Sequence, residues 1–352
     1  MGHSQVRRVK WEFGINWETA ALLGGLTLLL CSIGGGLIGP LWGRRRGADE
    51  PKAEQLGTIH RLQRPDGSEL QVEIYGPEDA PPLVMTHGWG LDHNEWYYAR
   101  RQLGDRYRLI LWDLPGLGAS IGPRDKDGGL DRLACDLEAV LQLAGGRPAV
   151  LVGHSIGGMI ILTFCKLFPE ALGTRVCGLV LAHTTYTNPV RTMQSAGIYT
   201  ALQKPVLQPL CHLMIWLAPL VWAMNWLCYL NGSAQRSTER ASFSGRETRG
   251  QLQFLTRHFV SAWPAVMARG LLAMFRYDAT AVLGTIQVPT LVVTGDKDST
   301  CTPEASEFIS RSIPGARLVT LEPAKHCGLF EHSVQFHEHL DAFAAKLTQT
   351  VS

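Results

Sequence analysis

One serine lies between two glycines directly after an apolar run, a pattern that suits nucleophilic chemistry. The run Ala149–Val152 leads into the segment Gly-His-Ser-Ile-Gly at positions 153–157. A serine hydroxyl becomes a nucleophile when a base takes its proton, and a tight turn from strand to helix projects it above a sheet. Side chains in place of Gly153 and Gly157 would clash in such a turn. We therefore predict that Ser155 is a nucleophile on a strained turn.

Activation of this serine needs a base and an orienting acid, and the later part of the chain offers candidates. The apolar run Thr290–Thr294 leads into Gly-Asp-Lys-Asp, which places Asp296 and Asp298 after one strand. His326 follows the next apolar run, Arg317–Leu321, and precedes a helical pattern. Histidine is the most frequent general base, and a carboxylate can hold its tautomer. The residues alone leave both aspartates open as the orienting acid.

The order of these motifs resembles that of the α/β-hydrolase superfamily, whose triad runs serine, acid, histidine along the chain. The resemblance covers the chain from Gly57 to its C-terminus. It implies Ser155 as nucleophile, Asp298 as orienting acid and His326 as general base. Asp296 would then be a turn residue that caps local amides. A triad of this kind implies no cofactor and no metal ion.

An oxyanion hole requires backbone amides aimed at the charge that develops on the substrate oxygen. The resemblance implies two such donors, the amide of Ile156 and the amide of Trp89. Trp89 belongs to the segment His-Gly-Trp-Gly, positions 87–90, which is similar to the His-Gly loop of the family. His87 and Gly88 would then shape this loop rather than act in the chemistry.

Short apolar runs alternate with helical patterns, which predicts an α/β fold with a mostly parallel sheet and helices on both faces. We expect a first hairpin from Thr58–Gln63 and Glu69–Tyr75. Six buried strands should follow: Leu83–Thr86, Arg108–Trp112, Ala149–Val152, Gly178–Ala182, Thr290–Thr294 and Arg317–Leu321. The helical patterns include Leu130–Leu143, Ile156–Leu167 and Phe336–Leu347. Each motif described above falls at the carboxyl end of a predicted strand, where such sheets place their active sites.

Segments of different character divide the chain. We predict a tail over 1–19, a transmembrane anchor over 20–42, a linker over 43–56, a hydrolase core in two parts over 57–183 and 285–352, and between these an inserted helical cap over 184–284. The cap is inferred because this stretch shows no clear strand pattern. Within it, residues 205–230 are strongly apolar. They could pack as the core of the cap, line an acyl pocket or dip into a membrane interface.

Residues 20–42 contain no charged side chain, and their length suits a helix across a hydrocarbon core of about 30 Å. Trp17 and Trp42 bracket the segment, as interfacial aromatics do. A cleaved signal peptide is the alternative, but its apolar region would be shorter and end at a small-residue site. The basic residues after the segment outnumber those before it by one, so the positive-inside rule favours a single-pass protein with a cytoplasmic catalytic domain.

Bulk composition indicates a globular protein with a large core. The chain has 352 residues, of which 45% are hydrophobic and 18% charged, and a formal net charge of +2. It has no long basic stripe, so nucleic acid is excluded as a partner. Eight cysteines are scattered without metal-ligand spacing and are interpreted as reduced, buried thiols. His332, His337 and His339 are interpreted as part of a solvated helix rather than a metal site.

These observations predict a membrane-anchored serine hydrolase that cleaves a carboxylic ester, with a small-molecule or lipid ester as substrate. Other triad chemistry is an alternative: thioester or amide hydrolysis, acyl transfer or perhydrolysis. A non-catalytic membrane receptor or scaffold on the same fold is another. Some acyltransferases of the family carry His-x-x-x-x-Asp, whereas the sequence from His326 ends in Glu331. Dehalogenases and epoxide hydrolases of this fold use an aspartate nucleophile, which Ser155 argues against.

Overall fold

The computed structural model describes residues 46–348, so the predicted tail, the predicted anchor over 20–42 and the first residues of the linker lie outside the described part. Eight strands form one sheet in the order β1-β2-β4-β3-β5-β6-β7-β8. Their bounds are β1 Thr58–Gln63, β2 Glu69–Tyr75, β3 Pro82–Thr86, β4 Arg108–Trp112, β5 Ala149–His154, β6 Val176–Ala182, β7 Thr290–Gly295 and β8 Arg317–Leu321. Strand β2 is antiparallel to β1 and β4, and every other neighbouring pair is parallel.

The predicted strands are all present, with ends that differ by no more than two residues. The hairpin between β1 and β2 closes through a hydrogen bond from the amide of Arg64 to the carbonyl of Ser68, 2.9 Å long. Gly67 has a φ of +83°, a left-handed conformation that glycine adopts without a Cβ clash. The side chain of Asp66 accepts the amide of Ser68 at 2.8 Å. The turn residues and the alternation of apolar side chains therefore both favour the observed pairing register of β1 and β2.

Apolar side chains cover both faces of the sheet because successive residues of a strand point to opposite sides. In β3, Val84 contributes to the core on one face. Leu83 and Met85 contribute to the core on the other. Both faces must therefore be covered by helices, as the parallel arrangement requires.

Helices of the core part cover these faces: α1 Tyr97–Leu103, α2 Leu130–Leu141, α3 Ile156–Leu167, and, after β7, α11 Pro303–Ser312, α12 Gly328–Glu331 and α13 Ser333–Thr348. The predicted helix over Leu130–Leu143 ends as a 3-10 turn, and the last helix begins three residues before its predicted start. Helix α3 is buried over most of its length, which agrees with a sequence that is apolar almost all round.

Residues 184–284 contain helices and, apart from one isolated bridge, no strand. The helices are α4 Ala196–Leu202, α5 Gln208–Trp216, α6 Ala218–Leu230, α7 Ser233–Ser242, α8 Arg249–Ser261, α9 Pro264–Met274 and α10 Thr280–Leu283. We call residues 184–284 the cap segment; its action as a cap stays a prediction. Among the described residues no single helix is long and apolar enough to cross a bilayer, although the stretch Ala196–Trp216 and helix α6, bent by 95°, together meet that test.

The interpretation of His332, His337 and His339 as part of a solvated helix is wrong for His337. This residue is 2% exposed on α13, and its Nδ1 lies 2.5 Å from the carbonyl oxygen of Ser333. Burial lowers the pKa of the His337 imidazole to about 4. The His337 imidazole is therefore neutral in the folded protein. Its burial results from the packing of α13 against the core, which the spacing of residues along the helix does not reveal.

Stability should depend on pH through His337. The unfolded imidazole takes up a proton below its ordinary pKa of about 6.5, whereas the folded one does so only near pH 4. Because the unfolded state binds more protons in this window, stability falls as the pH is lowered from about 7 to about 4. We expect His337→Leu to reduce the difference in melting temperature between pH 7 and pH 5, measured by circular dichroism on the full chain in detergent micelles.

The half-buried neighbour on the same helix provides the control for this experiment. Gln335→Leu, which removes no titratable group, should leave the pH dependence as in the unmodified chain. An unchanged pH dependence in His337→Leu would show that the buried imidazole is not the titrating group.

Candidate active site

The nucleophile predicted from the sequence lies on a strained turn between β5 and α3. Ser155 has φ +53° and ψ −117°, an unusual conformation for a residue with a side chain. A Cβ on Gly153 would lie 2.4 Å from the carbonyl carbon of Gly157, and one on Gly157 would lie 2.3 Å from the carbonyl oxygen of Thr86. Both contacts are with backbone, so neither can yield. The two glycines are therefore required by the turn, as predicted.

The structure brings together the three residues predicted as a triad. The Nε2 atom of His326 lies 3.0 Å from Oγ of Ser155, and its Nδ1 atom lies 2.9 Å from Oδ2 of Asp298. The serine follows β5, the aspartate follows β7, and the histidine follows β8. In this arrangement Nδ1 of His326 donates to the carboxylate, and Nε2 is free to accept the proton of the serine hydroxyl.

Four donors hold the carboxylate of Asp298, which is 2% exposed. Its Oδ1 accepts the amides of Thr300 and Cys301, at 2.9 and 3.0 Å. Its Oδ2 accepts the two imidazoles of His326 and His183. Burial by itself would raise the pKa of Asp298, but the charge of His326 and the hydrogen bonds from His183 and His326 outweigh it and hold this pKa well below its usual range. The carboxylate stays charged although it is buried.

Asp296 is placed differently from the expectation that it caps local amides. Its side chain is exposed, and its Oδ1 accepts the amide of Ala324 at 2.7 Å, across the sheet end from its own turn. The local amides are capped by Asp298 instead. Asp296 therefore fastens the loop that carries His326 to the end of β7.

The predicted oxyanion donors have amides without an acceptor in the described part of the chain. Ile156 is the first residue of α3, and no acceptor for its amide or for that of Trp89 lies among residues 46–348. The loop at 87–90 packs against the nucleophile turn, since a Cβ on Gly88 would lie 2.6 Å from Nδ1 of His154. The Trp89 indole donates to the carbonyl of Met267 in α9, at 3.3 Å, so this ring points into the cap segment.

Sequence reasoning missed a buried ion pair beneath the site. Nδ1 of His154 lies 2.5 Å from Oε1 of Glu95, and both side chains are fully buried. Oε2 of Glu95 accepts the amide of Gly88 at 2.7 Å, and Nε2 of His154 donates to the carbonyl of His326 at 3.0 Å. Burial would lower the pKa of His154, but the charge of Glu95 and its contact outweigh it and raise this pKa. The pair ties the loop of the predicted oxyanion donor to the loop of the predicted base.

A second histidine on Asp298 was also missed. Nδ1 of His183 lies 3.2 Å from Oδ2 of Asp298, and the residue has φ +49°. Burial lowers the pKa of His183 against the opposing effect of Asp298, so the ring is neutral and Nδ1 carries the proton that it donates. His183 follows β6 directly. Its position at the carboxyl end of a strand beside β7 is the signal that could have identified it.

His87, which is predicted to shape the loop at 87–90, makes two hydrogen bonds through its ring. Its Nε2 accepts the amide of Leu114 at 2.9 Å, and Nδ1 therefore carries the proton and donates to the carbonyl of Gly88 at 2.8 Å. Among residues 46–348, two groups bring histidine and carboxylate atoms close enough together to hold a metal ion: His183, Asp298 and His326, and Asp92, His93 and Asp113. Direct contacts between histidine and carboxylate hold both groups together. The expected independence from metal and cofactor stays a prediction.

Glu331, which stands where some acyltransferases carry an aspartate, joins the cap segment to the core. Its carboxylate accepts the amides of Ser244 and Arg246, at 2.9 and 3.0 Å, and the hydroxyl of Ser244 at 2.8 Å. The Glu331 side chain thus binds the segment that follows α7. Its hydrogen bonds do not involve the three triad residues.

Comparison with known proteins places this geometry in context. The family model described as "Alpha/beta hydrolase family" matches residues 83–341. A pimeloyl-[acyl-carrier protein] methyl ester esterase of Aeromonas hydrophila is 26% identical over 284 residues, which cover 78% of this chain and 98% of that protein. The dihydrolipoyllysine-residue acetyltransferase component of the acetoin cleaving system of Pseudomonas putida is 30% identical over 77% of this chain, and the match covers 65% of that protein.

Among solved structures, a thermophilic esterase from Thermogutta terrifontis superposes with a TM-score of 0.66 at 23% identity, covering 83% of this chain and 99% of that one. At this identity the likeness concerns the fold. It extends over nearly all of the described residues.

The hydrogen bond from His183 to Asp298 generates a prediction about the reactivity of Ser155. We expect His183→Gly, which tolerates the left-handed backbone but has no donor, to slow phosphonylation of Ser155 by a fluorophosphonate. A hydrogen bond to a charged group contributes roughly 1.5–3 kcal/mol, so the rate should fall roughly ten- to a hundredfold. The rate constant is measured by fluorescent labelling over time.

His183→Asn is the matched control, because asparagine also tolerates this backbone and its amide supplies a donor near the Nδ1 position. It should retain most of the rate. Equal rates in the glycine variant and the unmodified chain would contradict a positioning role for His183.

Proposed function

Because the chain belongs to the alpha/beta hydrolase family, we propose that it is a serine hydrolase of carboxylic esters, with Ser155 as nucleophile, His326 as general base and Asp298 as orienting acid. The observation that carries this proposal is the continuous contact from Oγ of Ser155 through both ring nitrogens of His326 to Oδ2 of Asp298, at 3.0 and 2.9 Å. The ester hydrolase among its relatives supports the same class of reaction.

In the proposed reaction, Oγ of Ser155 attacks the ester carbonyl carbon while Nε2 of His326 takes the hydroxyl proton. The carbonyl oxygen becomes an oxyanion, and the amides of Trp89 and Ile156 are the proposed donors to it. The tetrahedral intermediate collapses to an acyl-enzyme when His326 gives its proton to the departing alcohol oxygen. Water, deprotonated by His326, then releases the acid and restores Ser155.

The charge of Asp298 matters at the step in which His326 becomes an imidazolium. A buried carboxylate that is already ionised needs no reorganisation to stabilise this cation. The neutral His183 shares Oδ2 without adding a second positive charge beside it. This arrangement favours transfer of the proton from Ser155 to His326.

Acyl transfer is the second candidate, and one observation favours it: the acetyltransferase component among the relatives is 30% identical to this chain. Transfer would use the same acyl-enzyme with an alcohol or thiol in place of water. Product analysis with an added alcohol distinguishes the two reactions. A non-catalytic receptor would leave Ser155 unlabelled by fluorophosphonate.

We further propose that residues 20–42 anchor the protein in a membrane and that its ester substrate is lipophilic. The uncharged run and its flanking tryptophans support the anchor. The apolar character of residues 205–230 supports the substrate class. We also propose that the catalytic domain faces the cytoplasm, on the count of basic flanking residues.

Loss of the nucleophile tests the enzyme. Ser155→Ala should lower kcat/KM by roughly 10⁴–10⁶, since residual rates in triad enzymes come from the oxyanion hole and binding alone. The measurement uses the full chain in detergent micelles with p-nitrophenyl esters of increasing acyl length, and the unmodified chain should prefer the longer acyl groups. Ser312→Ala, remote from the site at the end of α11, is the control and should retain full activity. A fall of only a few-fold in Ser155→Ala would exclude this serine as nucleophile.

Charges placed within residues 20–42 test the anchor. Leu28→Arg combined with Leu30→Arg should release the chain from membranes, because each arginine near the centre of a spanning helix costs about 2.5–3.5 kcal/mol. The fraction in the membrane pellet after alkaline carbonate extraction is measured. Gln55→Arg, in the linker, is the control and should stay in the pellet. Release of the unmodified chain by carbonate would refute the anchor.

A further inference from the structure

The cap segment carries an unusual concentration of exposed apolar side chains. Twelve of the sixteen exposed large hydrophobic residues among residues 46–348 lie between Ile198 and Leu230. Trp216 is 78% exposed and Leu220 58%. The only ordinarily charged side chain between these limits is Lys204. We call the exposed apolar surface of residues 198–230 the apolar ridge; surfaces of this kind mark binding sites in soluble proteins.

A row of aromatic rings borders the apolar ridge. The ring of Trp222 lies 6.1 Å from that of Trp226 and 6.4 Å from that of Trp263, and Trp226 lies 5.6 Å from Tyr229. Trp222 and Trp263 are each partly exposed, at 39% and 41%. Tryptophan and tyrosine are the residues enriched where a membrane meets water, because each combines an apolar body with a polar group.

A cavity of about 1020 Å³ adjoins this aromatic row, because Tyr229 and Trp263, the rings at its two ends, both form part of the cavity wall. Four basic residues line it as well: Arg46, Lys52, Arg249 and Arg257. It is separate from the catalytic cluster, since neither Ser155 nor His326 lines it.

The positive charge of this cavity is only partly compensated. Arg249 and Arg257 have no ion-pair partner among residues 46–348. Lys52 pairs with Glu54, and Asp92 pairs with His258. Glu50 is then the remaining acidic side chain of the wall beside Arg46, Arg249 and Arg257, so positive charge is in excess. The cavity can therefore attract an anionic group.

We infer that the apolar ridge, the aromatic row and the basic cavity dock together on the surface of an anionic lipid bilayer. The three adjoining surfaces, apolar, aromatic and basic, suit the acyl chains, the interface and the anionic headgroups of one leaflet. The inference rests on the proposed anchor, because Arg46 lies in the cavity wall and follows the proposed anchor over 20–42 by only four positions. An anchor that leaves the bilayer next to Arg46 would bring the cavity and the adjoining apolar ridge to the membrane surface.

Docking of this face would place the bilayer close to the catalytic residues. Helix α9 packs against α5 of the apolar ridge on one side. On the other side Gly270 of α9 meets the ring of Trp89, whose Cζ2 atom would lie 1.9 Å from a Cβ at that position. Helix α9, about 10 Å across, thus lies between α5 of the apolar ridge and the loop of the predicted oxyanion donor. The substrate class that fits is an ester drawn from the membrane.

Photocrosslinking on the full chain in lipid vesicles tests this face. A benzophenone amino acid is introduced at Trp216, at Leu220 or, as a matched control, at Val334, which is 60% exposed on α13. The vesicles contain phosphatidylcholine and radiolabelled phosphatidylglycerol. We expect lipid crosslinks from positions 216 and 220 at least tenfold above those from 334. Equal yields from all three positions, crosslinks to residues 20–42, or crosslinks to a second copy would overturn the inference.

A charge test addresses the cavity. Each surface arginine near an anionic leaflet contributes about 1 kcal/mol, or about fivefold in binding. Arg249→Gln and Arg257→Gln should each lower the crosslinking yield at Trp216 by up to about fivefold in vesicles with phosphatidylglycerol. Arg147→Gln, on the opposite, amino-terminal side of the strands, should have no effect. If the crosslinking yield of the unmodified chain did not depend on phosphatidylglycerol, the proposed contact of the basic cavity with anionic headgroups would be overturned.

Fluorophosphonate labelling and carbonate extraction of the same samples separate the possible failures. Absent lipid crosslinks, with Ser155 labelled and the chain retained in the pellet, would overturn the docking face alone. An unlabelled Ser155 would contradict the proposed hydrolase, and release by carbonate would contradict the anchor.

Discussion

A carboxylate can remain ionised in a protein interior only when hydrogen-bond donors replace the water that it has lost. Asp298 meets this condition with two backbone amides on one oxygen and two imidazoles on the other. The amides belong to its own turn, so the end of β7 fixes the carboxylate. The imidazoles arrive from the ends of β6 and β8, which flank β7 in the sheet. The contacts of Asp298 with His183 and His326 therefore depend on three neighbouring parallel strands.

The predicted nucleophile, Ser155, is also fixed to the end of β6. The amide of Ser155 donates to the carbonyl of Ala182, the residue before His183, at 2.9 Å. The strained φ of Ser155 persists because bare glycine backbones pack on both sides of it. The ion pair of Glu95 and His154 also holds together the loop at 87–90 and the loop that carries His326. Strain at one residue is thus maintained by rigid contacts around it.

The sequence was most informative where a local pattern decides the structure. The bounds of β4 and β8 were predicted residue for residue, because a short apolar run between turn signals has few alternatives. The predicted burial of β8 was wrong, because this strand lies at the edge of the sheet and only Leu321 is buried in it. The residues predicted as a triad do meet in space, although their chemical roles stay predictions. Contacts between distant elements were not predictable from one chain. His183 meets Asp298 over 115 positions, Asp296 caps a loop beyond the next strand, and His337 is buried only because α13 packs against the core.

The separation of the reacting groups along the chain has a consequence for biosynthesis. Ser155 and His326 are 171 positions apart, and the base follows the last strand of the sheet. At a synthesis rate of roughly 5–20 residues per second, about ten to thirty seconds pass between the emergence of the serine and that of the histidine. During this interval the half-made chain holds the Ser155 hydroxyl without its proposed proton acceptor, so the proposed reaction cannot begin until the last strand has paired.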